Sequence, residues 1–340
     1  MCEVAILMST YNGQEYLKQQ LKSIQDQSFA NWRLYIRDDG SNDQTRQIIN
    51  KYAVKDSRIT FLEKISNENL GPQASFFALL KRVDAQYYMF SDQDDVWKKD
   101  KIAKTLRTMK NAEEQYGDIP LNVFTNLSIV DSNLNQLELM NKSKLKLSFL
   151  SLLFHNVITG CTMMINQPLK AKLNFELTDY QNSLMHDWWL GLVAAIFGKN
   201  VYLNEPTILY RQHGDNTVGM NAHNSLKRIL KRISNLSKEI ATVLKVEHLA
   251  IEVKKQYLAA LNVEEKQYIL GYADLAEKSS IVYNFNLSRK CPPKREHSLF
   301  FTLIMIRYAK QLRIYKDWYR RIRYAKKGVL QVTKVKAVNQ

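Results

Sequence analysis

The chain has 340 residues, 45% hydrophobic and 24% charged, the balance of a folded protein rather than a disordered polymer. That length allows one large domain, or a domain with an appendage, around a substantial core. The formal charge is +16, and the segment from Arg289 to Gln340 supplies thirteen of those charges, with fifteen Lys and Arg against Glu296 and Asp317, so the rest of the chain is nearly neutral.

Near the N-terminus, "EVAILMSTYNG" at residues 3–13 reads as a strand and turn. It is not a basic leader with an apolar stretch and a small-residue cleavage site, so secretion is not expected. "VAILMS", "WRLYIRDD", "RITFLE" and "YYMFSDQDD" predict short buried strands, each ending in polar or acidic residues. Between them "EYLKQQLKSIQDQ", "DQTRQIINKYAV" and "PQASFFALLKRV" predict helices; in the first, Leu17, Leu21 and Ile24 recur at helical spacing. Alternation of this kind predicts an α/β fold with a mostly parallel sheet and helices on both faces. A less regular middle runs to about Gly219, and from about Asn224 the chain reads as helical and basic. The expected division is residues 1–222 for the sheet domain and 223–340 for the helical basic region.

Ligands of such sheets bind outside the carboxyl ends of the strands. Ser9 to Asn12, Asp38 and Asp39, and Asp92, Asp94 and Asp95 all fall there. Three carboxylates within four positions repel one another and raise each other's pKa, so a cation or a hydrogen-bond network is needed to hold them. Helix capping ahead of "WKKDKIAKTL" accounts for one acid comfortably. Mg²⁺ or Mn²⁺, which takes one or two carboxylates and completes its shell with water and phosphate oxygens, accounts for the cluster. In "RDDGSNDQT", Ser41 or Asn42 is expected to cap a helix; Asp38 and Asp39 remain as acceptors for a base N–H or a ribose hydroxyl. Gly-x-Gly-x-x-Gly does not follow the first strand and no Gly-Lys-Ser/Thr loop occurs, which argues against nicotinamide or ATP-hydrolysing chemistry. Cys2, Cys161 and Cys291 are odd in number and far apart, so a disulfide framework or Cys-x-x-Cys metal site is excluded and a reducing compartment expected.

Taken together, "STYNG" at 9–13, "DDGSND" at 38–43, "NLG" at 69–71 and "DQDD" at 92–95 resemble glycosyltransferase family 2, nucleotide-sugar transferases of GT-A fold, over roughly residues 3–219. The resemblance implies that Thr10, Tyr11 and Asp39, with Asp38 beside it, surround the nucleotide base and that Asn69 and Gly71 border the donor. It also implies that Asp92 serves the ribose side and Asp94 ligates the metal. The family's base is the Asp of a Glu-Asp pair; here "LMHDWWL" carries His186 and Asp187, so Asp187 inherits the role and His186 departs from the pattern. The competing reading makes Asp187 a helix cap ahead of core tryptophans, and Trp188 or Trp189 is either an acceptor-stacking ring or a buried aromatic. In "YRQHGDNTVG", Arg211 is assigned to the diphosphate and His213 to the metal shell, against a plain surface turn. His155, His223, His248 and His297 have no such context and are read as structural or solvent-facing.

"FFTLIMIRYAKQLRIYKDWYRRIRYAKKGVL" mixes apolar and basic residues. It suits an anionic bilayer surface as well as a solvated face packed on the domain, and its apolar run is too short to span a membrane. No nucleic-acid motif accompanies it. The expected activity is therefore inverting, metal-dependent sugar transfer onto a lipid-linked glycan at the cytoplasmic membrane face. By resemblance, dTDP-rhamnose is the first donor and a UDP-hexose the second. A sugar-phosphate nucleotidyltransferase, and a non-catalytic nucleic-acid or membrane module on a transferase fold, are the rival expectations, and homo-oligomerisation stays open.

Overall fold

The computed structural model describes residues 3–65, 69–142, 144–176, 185–212, 236–294, 298–307 and 309. The chain divides into two compact units, Met1–Asn221 and Ala222–Gln340.

The first unit alternates strand and helix: β1 (Val4–Thr10), α1 (Leu17–Gln25), β2 (Trp32–Asp38), α2 (Thr45–Lys55), β3 (Ile59–Phe61), α3 (Gly71–Arg82) and β4 (Tyr87–Ser91). The chain continues through β5 (Val96–Trp97), α4 (Lys101–Tyr116), β6 (Leu121–Val130), β7 (Gln136–Leu139), α5 (Phe149–Phe154), β8 (Met163–Asn166), α6 (Gln167–Ala171), α7 (His186–Phe197) and β9 (Lys199–Arg211). The strands form one sheet in the order β3-β2-β1-β4-β8-β6-β9-β5, with β7 on β6. β1, β2, β3 and β4 pair in parallel, β8 runs antiparallel to both β4 and β6, and β6 is parallel to β9. β6 and β9 thus point the same way as β1, and their ends at Val130 and Arg211 reach the same edge as Thr10, Asp38 and Ser91.

Val4 to Met8 are wholly buried, as a central strand covered on both faces requires. Val4, Ile6 and Met8 share one cluster with Leu17, Leu21 and Ile24 of α1 and Ile102, Leu106 and Met109 of α4, while α3 packs on β1 as well. Each such aliphatic side chain contributes about 1.5–3 kcal/mol on leaving water, so the interior strands fix the register that aligns the loops.

Polar staples mark the end of α1 nearest the acid motif. Gln20 Nε2 donates to Ser91 Oγ at 2.8 Å, Trp97 N to Ser23 Oγ at 3.0 Å, and Gln27 Nε2 to Lys98 O at 2.8 Å. These bonds hold the segment between β4 and α4. α4 begins at Lys101, so the acids at 92–95 lie in a bend before β5 and not in a helical first turn; the capping alternative falls away. Likewise, α2 begins at Thr45, and Asp43, rather than Ser41 or Asn42, accepts the Thr45 N–H, at 2.9 Å.

The second unit is helical: α8 (Leu236–Tyr257), α9 (Val263–Ala273), α10 (Leu275–Lys278), α11 (Ile281–Lys290) and α12 (Ser298–Arg307). Asn262 and Glu265 form a reciprocal capping box at the start of α9. Val246, Val253, Ile269, Tyr272, Leu275 and Met305 are buried, whereas Ile281, Val282 and Phe285 on α11 and Leu299 and Leu303 on α12 are exposed. Among the described residues no helix is long and apolar enough to cross a membrane.

Candidate active site

The loop after β1 is stitched to the loop after β2. Thr10 Oγ1 donates to Asp38 Oδ1 at 2.9 Å; Ser41 N and Ser41 Oγ donate to the same carboxylate at 2.9 and 2.5 Å. Asp39 pairs with the Arg37 guanidinium and accepts the Leu70 and Gly71 N–H groups at 2.7 and 2.8 Å. Gly71 sits at φ 78° and Gly40 at φ 86°, left-handed values that favour glycine, and these let the two turns present their N–H groups and carboxylates to each other. Thr10, Asp38 and Asp39 are all buried, so they brace the loops from behind, which differs from the expectation that they meet a base directly. Tyr11, 47% exposed, and the exposed Asn69 are the expected donor residues whose side chains face outward there.

The acid motif is the electrostatic centre. Asp92 and Asp94 are half-buried and Asp95 is buried. Burial first, then the charges of Asp94 and Asp187, push Asp92 up to about 7. Burial, followed by Asp94 and Asp92, holds Asp95 well above the carboxylate range. Ligand atoms of Asp92, Asp95 and Cys161 lie within 4.8 Å of one another, and Asp95 Oδ2 is buried without a hydrogen-bond partner. Mutual repulsion plus an orphaned carboxylate oxygen is the state a cation relieves, and the oxygen-rich set suits a divalent ion, so the residues fit a metal. The tight cluster does not include Asp94, the expected ligand, although the Asp94 charge acts on both neighbours. Cys161, dismissed in the sequence because it has no nearby cysteine, joins the acids because β8 starts two residues after it, next to β4. Lys101 is the other residue missed: it is buried over the Trp97 ring at 4.9 Å, and burial lowers it to about 8 while Cys161 and Asp95 oppose that shift. His213 lies outside the described residues.

Asp187 stands in the first turn of α7 and is 6% exposed. Its carboxylate accepts Trp188 N at 2.6 Å and Gly160 N at 3.2 Å. Burial pushes it up to about 6, against the pull of those N–H groups and of Asn156. Its charge adds to the upward push on Asp92, behind burial and Asp94. His186 sits between Phe76 and Phe90, ring centroids 4.3 and 5.0 Å away, and burial lowers it to about 3, so it is a neutral packing residue here. Trp189 is fully buried, the buried-aromatic alternative of the two readings. Trp188 is half-buried, its Nε1 donating to Leu152 O at 2.5 Å.

Arg211 departs most from expectation. Only 2% exposed, it donates from Nε to Asp94 O at 3.0 Å, from Nη2 to Gln19 Oε1 at 2.6 Å, and from Nη1 to the Ser132 carbonyl. Its guanidinium also lies over the Tyr16 ring at 4.4 Å. The side chain is a brace between three segments, not a free cation awaiting a diphosphate.

A family model described as glycosyl transferase family 2 matches residues 5–171. The dTDP-rhamnosyl transferase RfbG of Shigella flexneri is 32% identical over 240 residues, 66% of this chain and 78% of that protein. The UDP-Glc:alpha-D-GlcNAc-diphosphoundecaprenol beta-1,3-glucosyltransferase WfgD of Escherichia coli is 32% identical over 130 residues, 37% of this chain and 49% of that one. In fold, the crystal structure of S. aureus TarS 1–349 in complex with UDP-GlcNAc superposes with a TM-score of 0.55 at 17% identity, covering 96% of this chain and 92% of that one. The sheet is that of the GT-A fold, and the chain belongs to glycosyl transferase family 2.

Proposed function

We propose that this glycosyltransferase is inverting and metal-dependent, and that it moves a sugar from a nucleotide diphosphate donor to a growing, lipid-linked cell-surface glycan. The observation that carries the reading is a buried carboxyl, Asp187, whose charge acts on Asp92 of the acid motif. Asp92 and Asp95, with Cys161 in the same cluster and Asp94 beside them, would hold a divalent cation, which when bound neutralises charge on a departing diphosphate. Tyr11 and Asn69 offer outward-facing side chains for the nucleoside and the donor. Asp187 receives the proton of the acceptor hydroxyl as its oxygen bonds to the anomeric carbon and the bond from that carbon to the diphosphate breaks. A carboxyl raised to about 6 is ionised at neutral pH yet basic enough to keep that proton. Arg211 acts from behind by fixing the Asp94 carbonyl.

The similarity to a dTDP-rhamnosyl transferase supports dTDP-rhamnose as donor, with a UDP-hexose second, and the similarity to an enzyme named for a diphosphoundecaprenol acceptor supports a lipid carrier. Exposed Ile281, Val282, Phe285, Leu299 and Leu303, in a unit whose segment from Arg289 carries fifteen basic residues, support peripheral attachment to an anionic membrane at its cytoplasmic face. A thermal-shift panel of nucleotide sugars with and without Mn²⁺ tests class and donor together. Metal-dependent stabilisation by dTDP-rhamnose is the expected result. Stabilisation by nucleoside triphosphates alone, with pyrophosphate released from triphosphate and sugar phosphate, would replace this reading with a nucleotidyltransferase.

A further inference from the structure

Gln93 stands between the acids of the motif, yet its side chain turns back to the loop after β1. Tyr11 N donates to Gln93 Oε1 at 2.8 Å, and Gln93 Nε2 donates to Tyr11 O at 2.9 Å. One amide thus satisfies both backbone groups of one residue, as a neighbouring strand would. Space for it comes from Gly13, where a Cβ would overlap Gln93 Oε1 and Cδ. On its other side the loop is pinned to the turn before α2: Asn12 N donates to Ser41 Oγ at 2.9 Å, Asn42 N to Asn12 Oδ1 at 2.9 Å, and Gly13 N to Thr45 Oγ1 at 2.8 Å. Asn12 has φ 48°, so the chain reverses sharply there and leaves the Tyr11 ring half in solvent while its peptide is held.

We propose that Gln93 is a positioning residue that couples the nucleoside end of the donor site to its metal end. It rests on the donor site assigned under Proposed function. A cation that orders the carboxylates on either side of Gln93 also orders the amide between them, and with it the Tyr11 peptide and ring. Linkage requires the reverse as well: a base seated on Tyr11 tightens the hold on the cation by the same factor.

Thymidine and uridine, which have no phosphate for a cation to bridge, isolate this coupling. Their affinity for the full-length protein is to be read from base-proton NMR shifts, with and without saturating Mg²⁺. In the wild-type protein, Mg²⁺ is expected to tighten the better of the two about five- to tenfold, the lower range of site–site coupling. In Gln93→Ala the factor falls to about one, while the unfolding midpoint stays within about 4 °C of wild type. Gly13→Ala, which displaces the same amide while leaving the sequence of the acid motif unchanged, is expected to lose the coupling too. A merely structural residue would lower the midpoint and leave the factor intact, and that result overturns the proposal. So does a wild-type nucleoside affinity indifferent to Mg²⁺ when thymidine or uridine diphosphate binds with it, an outcome that leaves the donor site standing. Failure of both diphosphates to bind with Mg²⁺ overturns both readings.

Discussion

Asp187→Asn separates chemistry from stability. Asp187 is buried and raised from 3.8 to about 6, so the native state binds its proton more tightly than the unfolded chain does. A raised carboxyl destabilises the fold once ionised: the penalty is absent below about pH 4, builds as pH rises to about 6, and then stays constant. A shift of this size corresponds to about 3 kcal/mol at pH 7, which the asparagine variant does not incur. Against this, the asparagine amide cannot accept both the Trp188 and the Gly160 N–H, and one unmet buried donor costs about 1–3 kcal/mol. The two nearly cancel, so the unfolding free energy in urea at pH 7 is expected within about 2 kcal/mol of wild type. Transfer is expected to fall about 10²- to 10⁴-fold, the range for a lost general base. The assay is release of nucleoside diphosphate from donor and acceptor, with kcat followed from pH 4.5 to 8. Wild-type kcat should drop about tenfold per pH unit below about 6, and the residual rate of the variant should lack that limb. A folded variant retaining more than about a tenth of wild-type kcat, or showing the same limb, refutes the base assignment.

Further expectations follow from the same geometry. Arg211→Lys keeps the charge but cannot span the Asp94, Ser132 and Gln19 oxygens; a loss of about 2–4 kcal/mol in urea unfolding is expected, together with weaker Mn²⁺ activation. Gly71→Ala places a β-carbon at φ 78°, and about 1–2 kcal/mol of destabilisation is expected by thermal unfolding, with a raised donor KM because the Asp39 clasp shifts. Removing residues 311–340 takes away nine Lys and Arg and one acid; the truncated chain should no longer sediment with phosphatidylserine vesicles at low salt, and unchanged sedimentation would refute the proposed attachment. EDTA should abolish transfer and Mn²⁺ restore it, as read by the same nucleoside diphosphate assay.

The parallel half of the sheet was legible because β1 and β4 are nearly unbroken apolar runs, β2 is an apolar run interrupted by Arg33, and all three end in polar residues; the site edge followed from where they stop. Local sequence could not show how the acids are used. Asp38 and Asp39 look available in "RDDGS", yet their oxygens are taken by donors on Thr10, Leu70 and Gly71, which lie 28, 31 and 32 residues away. Trp188 and Trp189 look equivalent in sequence; α7 points one fully into the core and leaves the other half-covered. Cys161 and Lys101 had no recognisable spacing from the acids, because what gathers them is the reversed strand β8 and the start of α4.

The three-way grip of Arg211 bears on how substrate choice can drift in this scaffold. Residues 19, 94 and 132 belong to stretches encoded far apart, and an insertion in any of them would pull an oxygen off the shared guanidinium. If the donor site is as proposed, retuning toward another sugar is channelled to exposed positions such as Tyr11 and Asn69, where side chains can be exchanged without disturbing the buried keystone.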